Sequence, residues 1–220
     1  MILAVLNQKG GTGKTTMAIH VGMAWVRAGA RVLLIDVDAD PQGSALDWSE
    51  ARKAAEPALP VLGLPKPTIH REMPAPAANY DHVIIDSPPQ TEAIVKSAMM
   101  AADFVLVPVQ PSGVDVWGAR AIVALVADAL IVHPELKAVF AVNRKASKTF
   151  LSRAVLDALA DYRMPVLASA LGQRVVFAES VGTGRTVFDV DPGGIASAEA
   201  AALAKEVLDH AQKATDRPTA

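Results

Sequence analysis

No cysteine occurs among the 220 residues. Disulfides, thiolate metal centres and cysteine nucleophiles are therefore excluded. Aromatic residues are scarce, at 5% against a hydrophobic share of 51%. A core built of Ala, Val, Leu and Ile is the kind that buried parallel sheets use. Charge of one sign is lacking too: the formal net charge is −2, so only a local patch, not the whole surface, can attract nucleic acid. Long hydrophobic runs are also missing. The most apolar stretch, "GARAIVALVADALIVHP" (118–134), is broken by Arg120 and Asp128 and is too short and too charged to span a bilayer. The opening "MILAVLNQKGG" has neither a basic n-region nor a sufficient apolar h-region, so it does not read as a secretory signal. These absences fit a cytosolic protein.

The length suffices for one α/β domain with a sizeable core, expected over residues 1–213 with a flexible tail at 214–220. Short, β-branched-rich apolar runs read as buried strands at 2–7, 31–36, 82–89, 103–109, 138–143 and, more weakly, 164–169. Helical periods fall between them, at 14–28 with Gly29 as the stop, 43–55, 91–101, 114–132, 151–161 and 195–213. This alternation predicts an α/β fold: a mainly parallel sheet covered by helices on both faces, in three α/β/α layers. Residues 57–76 hold six prolines, which argue against a regular helix there and leave room for one short edge strand at 60–63. Ligands of such sheets bind at the C-terminal strand ends, where the sequence sets Lys14, Asp36, Asp86 and Asn143.

"NQKGGTGKTT" (7–16) joins the first strand to the first helix. It departs from the usual phosphate loop, G-x-x-x-x-G-K-[ST], because Gln8 stands where the first glycine is expected. Gly10, Gly11 and Gly13, with Thr12 between them, still let backbone N–H groups close around phosphate oxygens. The helix N-terminus adds unpaired N–H groups and a positive dipole end. Lys14 is placed for β- and γ-phosphates, the Thr15 hydroxyl for magnesium, and Thr16 for the α-phosphate. Lys9 sits on the outer lip. Asp86, closing "HVIID", is a further magnesium candidate. "DVDADPQ" (36–42) offers Asp36, Asp38 and Asp40, of which Asp36, at its strand end, is also a magnesium candidate. The histidines His20, His70, His82, His133 and His210 are scattered, and none is expected to pair with a nucleophile. Lys137, Arg144, Lys145, Lys148 and Arg153 lie in a stretch without acidic residues, which Arg174 and Arg185 extend. They suit phosphates of nucleic acid, or a solvated helix face with an adenine-side contact from Asn143 and Arg144.

"KGGTGKTT" after a hydrophobic strand resembles the deviant Walker A motif, K-G-G-x-G-K-[ST], of the ParA/MinD family of P-loop ATPases. "DADPQGSALDW" (38–48), "YDHVIIDSPP" (80–89), "VPVQPSGVDVWGA" (107–119) and "VNR" (142–144) are similar to segments of the same family. With one residue before the first strand, the likeness is to small, ParF-like proteins without an N-terminal DNA-binding domain. The resemblance implies ATP and ADP with Mg2+, and a weak ATPase stimulated by a partner. It implies an ATP-bound homodimer in which Lys9 reaches the partner's phosphates, and an aspartate before Pro41, Asp40, that positions the attacking water. The segment is two residues longer than the family's usual form, so Asp36 and Asp38 remain alternatives. The resemblance further implies non-specific binding to nucleoid DNA in a bacterial cytoplasm, a ParB-like adaptor, and plasmid, chromosome or other cargo. A MinD-like membrane-cycling regulator is the alternative, although "AEAAALAKEVLDHAQKATDRPTA" (198–220) lacks the aromatic, bulky face of a membrane helix. Redox relatives need cysteines, amide-ligase relatives need a substrate pocket not visible here, and a nucleotide-gated scaffold with little hydrolysis would use the same loop.

Overall fold

The computed structural model describes residues 1–38, 45–53, 55–89, 91–146, 155 and 157–212. Its strands are β1 (Ile2–Val5), β2 (Val32–Asp36), β3 (Val61–Gly63), β4 (His82–Asp86), β5 (Phe104–Val109), β6 (Lys137–Lys145) and β7 (Val166–Gly172). They form one seven-stranded sheet in the order β3-β2-β4-β1-β5-β6-β7, and every pairing is parallel. The chain order reverses around β1, which lies between β4 and β5. A crevice opens at such a reversal, beyond the C-terminal strand ends.

The continuous apolar runs divide by the period of two. Leu3, Val5, Ile84, Phe104 and Leu106 face one side, packed under α1 (Lys14–Arg27). Ala4, Leu6, Val83, Ile85, Val105 and Val107 face the other. There they meet α5 (Glu92–Ala101) and α6 (Gly113–Val132) through Val95, Ala98, Ala119 and Ile122. Both faces are thus covered, as the strand composition requires. On the α1 side the last helix, α9 (Ile195–Gln212), is fixed by the Trp25 indole N–H, which donates to Ala204 O at 3.0 Å. Gly29, at φ +93°, ends α1 as expected.

Several expectations need correction. The proline-rich segment carries two single helical turns, α3 (Ile69–Glu72) and α4 (Pro74–Ala77). Its prolines fall outside α3 and at the first and third positions of α4, within a first turn whose N–H groups have no intrahelical partner. The expected edge strand is β3, beside α2 (Ala45–Arg52). Two helices escaped the sequence reading, α7 (Val175–Gly182) and α8 (Val187–Val190). Both are short, and their apolar residues carry no clear period. Of the helix expected over 151–161, residues 157–160 are described and helical; the tail at 214–220 lies outside the described residues. His70 does pair with a hydroxyl, since its Nδ1 lies 2.8 Å from Ser97 Oγ. That hydroxyl also accepts the His70 N–H at 3.3 Å. The pair staples α3 to α5.

Because β4 is held on both sides, by β1 and β2, its Ile84 has no exposed surface. Ile84→Ala is expected to cost about 2–5 kcal/mol, read as a lower urea midpoint at unchanged slope. An unchanged midpoint would contradict this packing.

Candidate functional site

The glycine loop rises from the end of β1 into the reversal crevice. Gly13 caps α1 at φ +89°, a left-handed geometry that L side chains resist. A Cβ there would also stand 2.0 Å from Asn143 Nδ2, so only glycine fits. Asn143, at the C-terminal end of β6, donates to Thr12 O at 2.7 Å. Gln110, just past β5, donates to Gly11 O at 2.7 Å. Asn7 accepts the Lys9 N–H at 3.0 Å and donates to Pro108 O at 2.8 Å.

Lys14 is 6% exposed, and its ammonium donates to Lys9 O at 3.2 Å. Burial lowers its pKa, resisted by Asp86 and Asp38. Asp86 and Asp36 are register partners at the ends of β4 and β2, and both are buried. Their surroundings differ. Asp36 accepts the Asp38 N–H on Oδ1 and the Leu46 N–H on Oδ2, each at 3.0 Å, which fixes the start of α2. Asp86 Oδ1 has no partner among the described residues. Burial pushes the Asp86 carboxyl up to about 7, and the charges of Asp36 and Asp38 add to this. The Thr15 hydroxyl and Lys14 pull the other way. An orphaned, buried carboxylate oxygen beside a threonine hydroxyl and a lysine is a place for a cation and a polyanion together. Asp36 fits the metal role less well, because both of its oxygens are engaged by backbone N–H groups.

Lys9 does not project freely. Its ammonium lies 2.8 Å from Asp115 Oδ1 in the first turn of α6. Asp115 is buried and bonded to the Ser112 hydroxyl, which also accepts the Asp115 N–H. Asn7, Gln110, Ser112 and Asp115 were missed as functional residues. "VPVQPSGVDVWGA" marked their segment but not their partners.

Among the described residues, the basic side chains do not all lie on one patch. Lys137 sits at the start of β6, with its ammonium on Ala211 O at 2.8 Å. Arg144 and Lys145 lie at the opposite end of that strand, some eight residues or roughly 26 Å away. Arg174 forms a two-pronged pair with Glu199, at 3.1 and 2.8 Å, which offsets its charge. Arg185 donates to Asp189 O at 3.1 Å. Lys145, Gln173, Arg174 and Val175 line an open cavity of about 800 Å³ beyond β6 and β7. Asp40, Lys148 and Arg153 lie outside the described residues.

A profile described as the CobQ/CobB/MinD/ParA nucleotide binding domain matches residues 3–187. The chain is 33% identical to the "Maintenance of carboxysome distribution protein A" of Halothiobacillus neapolitanus, over 90% of this chain and 91% of that one. It is 29% identical to the "Chromosome-partitioning ATPase Soj" of Thermus thermophilus, over 96% and 97%. Among solved structures, cobyrinic acid a,c-diamide synthase of Mycobacterium smegmatis, with bound ADP and magnesium, superposes with a TM-score of 0.77 at 23% identity. That superposition covers 99% of this chain and 98% of the synthase, and at this identity it shows a shared fold.

Asp86→Asn tests the electrostatics. A carboxyl whose folded pKa lies above its ordinary 3.8 draws protons to the folded state. Its stability deficit therefore grows as pH rises from about 4 to 7 and is complete above that range. The variant is expected to be more stable than the parent by roughly 2–4 kcal/mol at pH 8, with the gain vanishing toward pH 4. Buried His20, whose pKa burial lowers to about 4, contributes equally to both proteins and cancels. Denaturant unfolding at several pH values reads the difference, and an equal gain at every pH would refute it.

Proposed function

The chain belongs to the CobQ/CobB/MinD/ParA nucleotide-binding family, and from that premise we propose that it is a ParA-type ATPase that dimerises on ATP and positions cargo. The observation that carries this reading is the division of labour between two lysines. Lys14 lies inside the phosphate loop, buried, where it serves its own nucleotide. Lys9 lies on the lip, its side chain 37% exposed, where a second subunit's phosphates come within reach.

The loop's N–H groups and Lys14 bind the β- and γ-phosphates. Thr15 and Asp86 hold the magnesium ion, which when bound shields phosphate charge and fixes the phosphate oxygens. The water-positioning carboxylate comes from Asp36–Asp40, with Asp40 first in the ParA pattern. Asp36 is occupied in fixing α2, which favours a carboxylate further along that segment. Lys9 must leave Asp115 to act across the dimer. Val114 and Trp117, 61% and 68% exposed on either side of Asp115, supply apolar surface beside it, as a protein contact requires. Closure of that contact excludes water and strengthens the attraction of Lys9 for phosphate.

Arg144 and Lys145, with Lys148, Arg153 and Arg174, supply weak non-specific DNA contacts that a dimer doubles by avidity. Of the cargoes open to such a cycle, a large protein assembly is favoured over a plasmid. A relative named for carboxysome distribution is 33% identical over 91% of its length, against 29% over 97% for the chromosome-partitioning relative. A ParB-like or functionally equivalent adaptor stimulates hydrolysis. Among the described residues no helix is long and apolar enough to cross a membrane.

Lys9→Ala is expected to keep magnesium–ATP binding within a fewfold of the parent but to lose ATP-dependent dimerisation, and to lower turnover at least tenfold. Light scattering after size exclusion and phosphate release read the two effects. A variant that dimerises and turns over normally would sink the reading. DNA retention by the parent should require ATP and fall steeply between 50 and 200 mM salt, roughly as a multi-phosphate contact does. Retention by the nucleotide-free protein to the same extent would remove DNA from the cycle.

A further inference from the structure

The phosphate loop disposes of its carbonyl groups systematically. Thr12 O accepts from Asn143 at the end of β6, and Gly11 O accepts from Gln110 beyond β5. Lys9 O accepts from Lys14 Nζ and, at 3.5 Å, from the Thr12 hydroxyl. Gly13 O accepts the Met17 N–H at 2.9 Å within α1. A turn at Gly10–Gly11 directs the Thr12 N–H toward Lys9 O, while the N–H groups of Gly10, Gly11, Gly13 and Lys14 have no acceptor among the described residues. Asn7 fixes the start of the loop. Its carboxamide takes the Lys9 N–H and spans to Pro108 O, on the same β5 corner that carries Gln110.

We propose that Asn7 and Gln110 are positioning residues for phosphate binding. Gln110 turns the Gly11 carbonyl outward, and Asn7 sets the path on which the loop leaves β1. Together they keep peptide oxygens out of the nest and N–H groups in it before any anion arrives. The constraint matters most at this point because Gly10 and Gly11 are both exposed glycines, so an untethered peptide between them turns at little cost. A carbonyl oxygen turned inward would face the phosphates and oppose them. The proposal rests on the nucleotide reading above. It extends that reading from residues that touch phosphate to residues that shape what touches it.

The test compares parent, Gln110→Ala, Gln110→Glu and Asn7→Ala for binding of fluorescently labelled ADP with magnesium. Displacement of that label by pyrophosphate, which engages the loop alone, is measured alongside nucleotide-free melting. Loss of one tethering bond is expected to weaken ADP and pyrophosphate together, by about three- to tenfold, in Gln110→Ala. Gln110→Glu keeps the shape but cannot donate and adds a negative charge beside the loop, so it should be weaker than Gln110→Ala, and less so at high salt. Melting of the half-exposed Gln110 variants should match the parent. Variants that bind both ligands like the parent would overturn the proposal. So would a loss confined to ADP, or one that follows a matching drop in melting temperature. If the parent itself binds no labelled ADP, the nucleotide reading fails and takes this proposal with it.

Discussion

A peptide loop holds an anion only if its N–H groups converge and its carbonyl groups go elsewhere. Residues 9–15 meet that constraint with glycines for reach and with side chains from three directions for control. Gly13 turns the chain into α1 at a positive φ that leaves no room for a Cβ against Asn143. The carboxamides of Asn143, Gln110 and Asn7 then fix what the glycines leave loose. The parallel order β4-β1-β5-β6 brings these groups to one place. The outer strands and the apolar layers on both faces serve to keep that order rigid.

The same crevice gathers charges that destabilise the empty protein. Lys14 and Asp86 are desolvated together, and one oxygen of Asp86 lacks a partner among the described residues. A folded chain tolerates such groups where a ligand later satisfies them. Binding of a polyanion with its cation then stabilises the fold through linkage. Substitutions that relieve the charge fall on the residues of the proposed site, where stability and activity usually conflict.

The β5–α6 corner links the loop to the protein surface. Pro108 and Gln110 hold the loop by hydrogen bonds, and Asp115 holds Lys9 by charge. The next residues outward are Val114 and Trp117, both largely exposed. A change in the loop and a contact made on this face therefore act on one short segment, the start of α6. In the nucleotide-dependent dimer proposed above, that segment is where occupancy and association would meet. Opposite it, α2 begins under the control of Asp36. It ends with Arg52 buried against Asp189 and Gly184, so α2 is anchored to the C-terminal half of the chain.

Much of the architecture was legible in the amino-acid order. Apolar runs of strand length, helical periods between them, Gly29 after α1 and the Lys-Gly-Gly-Thr-Gly-Lys-Thr-Thr loop are local signals, and local signals survive in one dimension. The short helices α7 and α8 left none, because one or two turns have too few residues to show a period. The basic stretch shows a related limit: neighbours in sequence separate along an extended strand, so Lys137 and Lys145 lie at opposite ends of β6. By itself, then, the sequence determined the fold class, the phosphate loop, the two lysines and the carboxylates at the strand ends. Only the tertiary structure decided that one oxygen of Asp86 lacks a partner among the described residues, that Lys9 is held by Asp115, and that Asn7 and Gln110 bond to the loop and its β5 corner. Each of those facts depends on which strand lies beside which, and a parallel sheet sets that order through crossovers that no local pattern records.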